Sequence, residues 1–318
     1  MTTLFEDIMQ AHQALRPQVR VTPLDHSVLL SSHTGCEVYL KCEHLQHTGS
    51  FKFRGASNKL RLLSDKQREQ GVITASTGNH GQGVALAGKI AGIKATIYAP
   101  ESAAAIKLDT IRAFGGDVRL VAGDALNSEL AASAAAAEQH LTYISPYNDL
   151  QVIAGQGTCG AEIAEQQADL DAVFIAVGGG GLISGIATAL KTLSPQTEII
   201  GCWPENATSM YSNLEAGHIY EVEEKSTLSD GTAGGVEPGA VTFELCQKLI
   251  NRKVLVSEDE LKQAMKLIAV TDRWMIEGAA GVALAAMLKL AADYRGKKVA
   301  VVLCGKNIVL DKYLKALA

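Results

Sequence analysis

Aromatic residues and prolines are scarce in this chain, and there is no excess of basic charge. Phe, Trp and Tyr make up 5% of the 318 residues, there are 7 prolines, and the net charge is -5. A mildly acidic balance argues against nucleic acid and against an anionic membrane surface as partners. No uncharged apolar run is long enough to span a membrane, since the longest weakly polar stretch, Gly278 to Leu288, has the length of a core helix. We therefore expect a protein that acts on a small molecule.

Cysteine is also sparse for a chain of this length. The 6 cysteines are scattered, which excludes a dense disulfide scaffold and predicts a reducing, cytoplasmic setting. The N-terminus shows no basic region followed by an apolar run, so we expect no signal peptide. Cys42, His44 and His47 lie close together, but no second cysteine pair accompanies them, so we expect no zinc site.

Short apolar runs alternate with amphipathic or alanine-rich segments, which predicts an α/β protein with parallel or mostly parallel twisted sheets flanked by helices. The length predicts two domains. We expect a small inserted domain at residues 71–144 and a large domain built from residues 1–64 and 147–318. The predicted strands are Val38–Lys41, Val72–Ala75, Ala95–Tyr98, Asp117–Val121, Ala172–Val177, Ile199–Trp203 and Val299–Cys304. The predicted helices are Gly81–Ala91, Ile106–Phe114, Leu126–Gln139, Gly160–Gln167, Leu182–Leu193, Glu258–Val270 and Gly281–Asp293.

The first chemically informative loop is Thr48–Ala56, with the sequence TGSFKFRGA. It places Lys52 between a small polar turn and a predicted helix from Arg54 to Leu63. Burial and the positive end of a helix both disfavour the ammonium form of a lysine, and the neutral amine is the form that attacks a carbonyl. The alternative is a solvated surface lysine at a helix start.

The second loop, Ala75–Gly83, has the sequence ASTGNHGQG and joins a predicted strand to a predicted helix. It offers the hydroxyls of Ser76 and Thr77, the amide of Asn79 and free backbone N–H groups at a helix start. This combination suits an anion, particularly a carboxylate. The alternative is a helix whose N-terminus is capped by one of these side chains.

The third loop, Val177–Leu182, has the sequence VGGGGL and again joins a strand to a helix. Four glycines allow backbone N–H groups to approach a phosphate closely, whereas a structural turn needs one or two. A dinucleotide fingerprint is excluded because Ile183 occupies its third glycine position. The spacing of Gly83 and Gly88-Lys89 resembles a P-loop, but it falls within a predicted helix, and no Gly-x-Ser-x-Gly elbow occurs.

A nucleophilic lysine, a carboxylate loop and a phosphate loop together describe a site for pyridoxal phosphate and an amino acid. With these motifs in this order, the chain resembles the serine/threonine dehydratases. These are pyridoxal-phosphate enzymes of fold type II, similar in fold to the tryptophan synthase β subunit, and they include serine racemase. The resemblance runs from Thr22 to Asn307 and also includes Tyr39–Glu43, Val152–Thr158 and Cys304–Asn307.

The resemblance implies β-elimination from serine or threonine, giving a 2-oxo acid and ammonia. It makes Lys52 the residue that holds the cofactor as a Schiff base and then acts as general base. Thr77 becomes a candidate proton donor on the opposite face, and Asn79 a partner of the cofactor's phenolic oxygen. The substrate carboxylate would be held by Ser76, Thr77, Asn79 and His80. The cofactor would be held by Lys52, Phe51, Asn79, Gly178, Gly179, Gly180, Gly181, Leu182 and Cys304. We also expect a homodimer or a higher homo-oligomer.

Cys304 falls where the family usually places a serine, and sometimes a cysteine, beside the ring nitrogen of the cofactor. A neutral thiol does not keep that nitrogen protonated as an aspartate would. The resemblance therefore favours loss of a β-substituent over transamination. The alternative is that Cys304 is a small buried residue at the end of a strand.

The chain departs from the family pattern at several positions. Trp203 and Ser209 stand where cation-binding members have Glu and Asp, so we expect no metal. Thr77 replaces a frequent alanine, Lys306 replaces a usual glycine, and residues 229–238 are unusually rich in glycine. An amino-acid racemase and a dehydratase for a hydroxyectoine-derived amino acid therefore stay as alternatives. A sensor that has lost its chemistry is disfavoured because Lys52 is intact, as is Asn79 in the second loop, Ala75–Gly83, which we call the asparagine loop.

Overall fold

The computed structural model describes residues 2–318, which form two twisted sheets flanked by helices. The strands are β1 (Leu24–His26), β2 (Glu37–Lys41), β3 (Val72–Ala75), β4 (Ala95–Pro100), β5 (Asp117–Val121), β6 (Thr142–Tyr143), β7 (Ala172–Ala176), β8 (Glu198–Pro204), β9 (Arg252–Val256) and β10 (Lys298–Val302). The larger sheet has the order β1-β2-β10-β7-β8-β9, and the smaller has the order β5-β4-β3-β6. Every pairing is parallel except that of β1 with β2. The α/β fold class predicted from the sequence is confirmed.

Helices cover both sheets. They are α1 (Thr2–Leu15), α2 (Val28–Thr34), α3 (Lys52–Arg61), α4 (Asp65–Gln70), α5 (Asn79–Ala91), α6 (Ala105–Ala113), α7 (Ala125–Glu138), α8 (Leu150–Gln166), α9 (Gly181–Leu193), α10 (Ser209–Ala216), α11 (Val241–Leu249), α12 (Glu258–Thr271), α13 (Gly278–Lys289) and α14 (Leu310–Leu317). Two short 3₁₀ helices span Glu43–Leu45 and Ala291–Tyr294. Within residues 2–318, none of the helices has the length and apolar character that crossing a bilayer requires.

The central strands are buried on both faces. Every residue of β3 and of β7 is buried, and in β10 all but the first are. Continuous apolar strands are what a parallel sheet between two layers of helices requires. The loops that follow β3, β7 and β10 lie at the carboxyl ends of parallel strands, where ligands bind in folds of this kind.

All strands of the smaller sheet come from residues 72–143, within the smaller domain expected at 71–144. The helix α3 packs against both α5, which follows β3, and α8, which lies on the larger sheet. The helix that carries Lys52 therefore stands where the two sheets and their helices meet. The division of the chain into two domains stays a prediction.

Four predicted helix starts are wrong by two residues or more. The helices expected at Gly81 and Gly281 begin at Asn79 and Gly278, and the second of them ends at Lys289 and not at Asp293. The helix expected at Gly160 begins at Leu150, because the carboxylate of Asp149 accepts hydrogen bonds from two N–H groups of the first turn and so caps it. The first turns of this helix were not predicted from the sequence because the helix contains three glycines, and glycine disfavours helices. The helix expected at Arg54 begins at Lys52, so the lysine lies on the helix and not in the loop before it.

Candidate active site

A cavity of about 590 Å³ collects every residue that the sequence analysis assigned to the site. It opens between the carboxyl ends of the two sheets. The predicted residues that line it are Phe51, Lys52, Ser76, Thr77, Asn79, His80, Gly178, Gly179, Gly180, Gly181, Leu182 and Cys304. Segments far apart in sequence thus come together at one place.

Lys52 is the first residue of α3, and its Nζ donates a hydrogen bond to the carbonyl oxygen of Pro146 at 2.8 Å. Burial lowers the pKa of Lys52 to about 8, although the neighbouring Cys304 and Glu277 act in the opposite direction. Near neutral pH about a tenth of such an amine is uncharged, compared with less than a thousandth for a solvated lysine. The surface-lysine alternative therefore does not describe this residue.

A buried ion network holds α3 in place two residues beyond Lys52. The fully buried guanidinium of Arg54 donates to both oxygens of Glu43 at 2.7 and 2.8 Å, and to both oxygens of Glu162 at 2.7 and 2.8 Å. Lys41 Nζ adds a bond to Glu162 at 2.6 Å. Two cations and two carboxylates balance, which is the condition for burying charge in this way. The network fixes the first turn of α3 against α8 and the 3₁₀ helix that begins at Glu43.

The third loop, which we call the tetraglycine loop, contains Gly178, Gly179, Gly180 and Gly181 and leads directly into α9, and it leaves no room for side chains. A Cβ on Gly179 would lie 2.4 Å from the ring of Tyr147, and one on Gly178 would lie 3.0 Å from the backbone of Thr232. Gly180 adopts φ +87°, a conformation that favours glycine. No side chain of the described residues caps the start of α9, so its N–H groups stay available to an anion.

The asparagine loop leads into α5 in a different way. The Oγ of Ser76 accepts a bond from the N–H of Gly78 at 3.2 Å, and no side chain of the described residues caps the first turn of α5. The helix-cap alternative is therefore wrong for this loop. The His80 Nε2 lies 2.9 Å from the carbonyl oxygen of Ile144, and burial lowers the pKa of His80 to about 3, so the imidazole stays neutral.

Cys304 follows β10 and is 3% exposed, with Lys52 close enough to influence it electrostatically. Burial raises the pKa of the Cys304 thiol well above its usual value, and the charge of Glu277 adds to the rise. The thiol is therefore neutral over the physiological range. The residue lines the cavity, and its role beside the ring nitrogen of the cofactor stays a prediction.

Glu277 is buried beside Asn79, and no sequence motif predicted its place in the site. Its Oε1 accepts from Asn79 Nδ2 at 2.7 Å, and its Oε2 accepts from the N–H of Asn307 at 3.0 Å. Burial raises the pKa of Glu277 to about 7. A single acidic residue between apolar segments, at the start of the alanine-rich α13, was the signal that could have indicated it.

Tyr147 and the glycine-rich segment at 229–238 are further missed contributors. Tyr147 packs on the tetraglycine loop, and its hydroxyl accepts a bond from the N–H of Glu237 at 2.9 Å. Asp230 and Thr232 line the cavity. The sequence identified this segment as unusual without giving it a role, because the residues that share the cavity with it come from distant parts of the chain.

The positions expected to lack metal ligands carry no cation-binding arrangement. Trp203 is buried against Tyr211, and Ser209 donates from its N–H and its hydroxyl to the carboxylate of Glu224, at 3.0 and 2.5 Å. Among residues 2–318, no three His, Cys, Asp or Glu side chains are grouped as a metal site requires. The absence of a metal from the reaction stays a prediction. Lys306 lies outside the cavity lining.

Sequence comparison places this arrangement among known proteins. The family described as pyridoxal-phosphate dependent enzymes matches residues 15–305. An L-threonine ammonia-lyase of Thermotoga maritima is 44% identical over 309 residues, which cover 97% of this chain and 76% of that protein. A catabolic L-threonine dehydratase of Staphylococcus aureus is 42% identical, with 96% of this chain and 89% of that protein covered.

Structural comparison gives similar results. The processed form of threonine deaminase isoform 2 from Solanum lycopersicum superposes with a TM-score of 0.95 at 38% identity, covering 99% of this chain and 92% of that one. Serine racemase from Dictyostelium discoideum superposes with a TM-score of 0.89 at 36% identity, covering 96% and 99%.

Proposed function

Because the chain belongs to the pyridoxal-phosphate-dependent enzymes, and within them to the serine/threonine dehydratase family, we propose that it deaminates L-threonine or L-serine. Loss of water from the β-hydroxy amino acid leaves an enamine, and hydrolysis of its imine form takes up one water and gives a 2-oxo acid and ammonia. The observation that carries the proposal is the position of the Lys52 amine in one cavity with the tetraglycine loop. An amine nucleophile and an anion site at a helix start are what this cofactor requires of a protein.

The residues present fit the cofactor. The four glycines form a concave surface at the start of α9 that side chains would fill, which suits a phosphate group. The Lys52 amine has a lowered pKa, so it is available for a covalent bond to an aldehyde. Cys304, which follows β10, offers a neutral partner for the ring nitrogen.

When bound, pyridoxal phosphate supplies an electron sink for the bond that breaks at the substrate Cα. In our proposal, the chain's own residues remove the Cα proton and hold the substrate. The Lys52 amine takes the Cα proton, as a general base with a pKa near the working pH can. Ser76, Thr77 and the N–H groups at the start of α5 hold the substrate carboxylate. Because His80 is neutral, it adds no positive charge near Lys52.

Racemisation is the second candidate. Thr77 lines the cavity, and serine racemase from Dictyostelium discoideum is similar in structure. A racemase needs a proton donor opposite Lys52, and a threonine hydroxyl is a weak acid with a stiff χ1. The similar curated enzymes named above are ammonia-lyases or dehydratases, so we assign elimination as the main reaction. A hydroxyectoine-derived amino acid remains a substrate to include in the assay.

We also propose a cytoplasmic enzyme that works as a homo-oligomer. The six cysteines are free and buried, which suits a reducing compartment. Val28 and Leu29 on α2, and Leu310 and Leu314 on α14, expose apolar side chains that a second subunit could cover. Light scattering of the purified holoenzyme measures the subunit number, and a monomer at working concentration would contradict the proposed homo-oligomer.

The decisive experiment fixes the cofactor in place. Purified protein with pyridoxal phosphate is reduced with borohydride, and the labelled peptide is identified by mass spectrometry. We expect the label on Lys52, and we expect ammonia and 2-oxo acid from L-threonine or L-serine. Lys52→Ala should lose both, with activity falling more than about a thousandfold.

The matched control is Lys107, the other lysine that lines the cavity. Lys107→Ala should keep the label on Lys52. A label that moves to Lys107, or a wild-type protein that never takes up the cofactor, would overturn the proposal.

A further inference from the structure

Asn79 is held from both ends of its side-chain amide. Its Nδ2 donates to Glu277 Oε1 at 2.7 Å, and its Oδ1 accepts from Asn307 Nδ2 at 2.6 Å. An amide can turn over and exchange its nitrogen and oxygen, so the partners decide which atom faces which way. The three side chains come from α5, from the residue before α13 and from the segment after β10.

The first anchor is the Glu277 carboxylate. Its second oxygen already accepts the backbone N–H of Asn307 at 3.0 Å, which fixes the orientation of the carboxylate. A carboxylate can accept hydrogen bonds but cannot donate them. A reversed Asn79 would therefore place its oxygen against the oxygen of Glu277. At pH 8, above the Glu277 pKa of about 7, the charged carboxylate prevails.

The second anchor is the carbonyl oxygen of Thr48. Asn307 Nδ2 donates to it at 2.8 Å, and a backbone carbonyl can only accept. The Asn307 side chain is thereby fixed with its nitrogen toward Thr48 and toward Asn79. If the Asn79 amide were reversed, its nitrogen would face the nitrogen of Asn307, and neither of these two donors could accept a hydrogen bond. Asn307 takes part in both anchors, through its backbone N–H at Glu277 and through its side chain at Asn79, and both anchors require the same orientation of the Asn79 amide.

We infer that Glu277 and Asn307 are positioning residues that lock the Asn79 amide so that its N–H₂ group is presented to the phenolic oxygen of the cofactor. One hydrogen of Asn79 Nδ2 serves Glu277, and the other is left for this oxygen. The inference rests on the proposed role of Asn79 in the site. It explains why a buried acidic side chain is kept beside a site that must accept an anionic cofactor.

The test measures binding of pyridoxal phosphate at pH 8, the absorbance of the bound cofactor, and the melting temperature of the apoprotein. Glu277→Gln is nearly the same shape, but its amide can turn and donate, so it no longer forces Asn79 into one orientation. We expect the dissociation constant to rise about tenfold and the absorbance band to shift, as the loss of one hydrogen bond to an ionised group predicts. Asn307→Ala is the second variant, and it removes the other anchor.

The matched control is Glu258→Gln. Glu258 is also a partly buried carboxylate, which accepts from the hydroxyl of Thr227 at 2.5 Å and from the N–H of Leu228 at 2.9 Å, and it does not contact Asn79. We expect its cofactor affinity to stay within about twofold of the wild type, as for substitutions away from a site. The melting temperature of apo Glu277→Gln should match or exceed that of the wild type at pH 8, because an amide costs less to bury than a carboxylate.

A double-mutant cycle separates positioning from structure. In an Asn79→Ala background, Glu277→Gln should have no further effect on cofactor affinity, since the residue through which it acts is gone. A further tenfold loss there would overturn the inference, as would wild-type affinity and absorbance in both Glu277→Gln and Asn307→Ala, or an equal loss in Glu258→Gln. A wild-type protein that fails to bind the cofactor would overturn the proposed function itself.

Discussion

The loop after β7 and the loop after β3 both place N–H groups at the start of a helix, but they are built differently. In the loop after β7, the glycines pack against Tyr147 and Thr232, and a Cβ on Gly179 would lie 2.4 Å from the ring of Tyr147. In the second, a Cβ on Gly78 would meet no other group within 4 Å, and the polar groups come from side chains such as Ser76. We interpret the packed loop as the site for a resident phosphate, and the open loop as the site for a substrate that enters and leaves.

The strongest challenge to this comparison is Gly179→Ala. The new methyl group would lie 2.4 Å from the ring of Tyr147, and the ring cannot move aside without breaking the bond between its hydroxyl and the N–H of Glu237. Overpacking of this kind costs on the order of 2–3 kcal/mol, and we expect cofactor affinity to fall about a hundredfold. Equilibrium titration with pyridoxal phosphate measures it. The control is Gly78→Ala, for which cofactor affinity should change less than about threefold; equal losses in the two variants would remove the distinction between the loops.

The second prediction concerns the lysine between the two loops. The neutral amine of Lys52 is the reacting form, and burial lowers the pKa of Lys52 to about 8. The rate at which apoprotein takes up pyridoxal phosphate covalently should therefore rise about tenfold per pH unit below pH 8 and level off above it. Stopped-flow absorbance follows the reaction. A rate that keeps rising toward pH 10 would mean that the lysine is solvated.

The third prediction tests the open loop. Thr77→Ala should leave elimination within about tenfold of the wild type, a change in barrier below roughly 1.4 kcal/mol, and should abolish any racemisation. The measurement is the ratio of D-amino acid to 2-oxo acid formed from L-serine. A wild-type enzyme that makes mainly D-serine would reverse our assignment of the main reaction. Complete loss of elimination in the variant would give the Thr77 hydroxyl a larger role.

The smallest effect is expected from chelation. The hydroxyl of Ser209 donates a hydrogen bond to the Glu224 carboxylate, and Trp203 is a poor ligand for a hard cation. Activity in EDTA should match untreated enzyme within error, measured as ammonia release. If EDTA abolished activity and magnesium restored it, a cation site that includes other residues would have to exist, and the two loops would not be the sole determinants of binding.

The three loops were predictable because each carries its signal in a few consecutive residues. A glycine run after an apolar strand, or hydroxyls before a helix, reflects local backbone geometry, and Lys52 stands in one such stretch. The structure brings all of these residues to one cavity. The start of α8 at Leu150 was missed because three glycines masked a helix that tertiary packing stabilises.

The sequence by itself determined the fold class, through buried apolar strands alternating with helices, and it determined the chemical groups of Lys52, the asparagine loop and the tetraglycine loop. Only the tertiary structure decided how those groups are oriented and tuned. The burial that lowers the pKa of Lys52 and the bond between Asn79 and Glu277, 198 residues apart in sequence, both arise from long-range packing. Hydrogen-bond direction and desolvation depend on neighbours in space, and a local sequence pattern does not specify which neighbours those are.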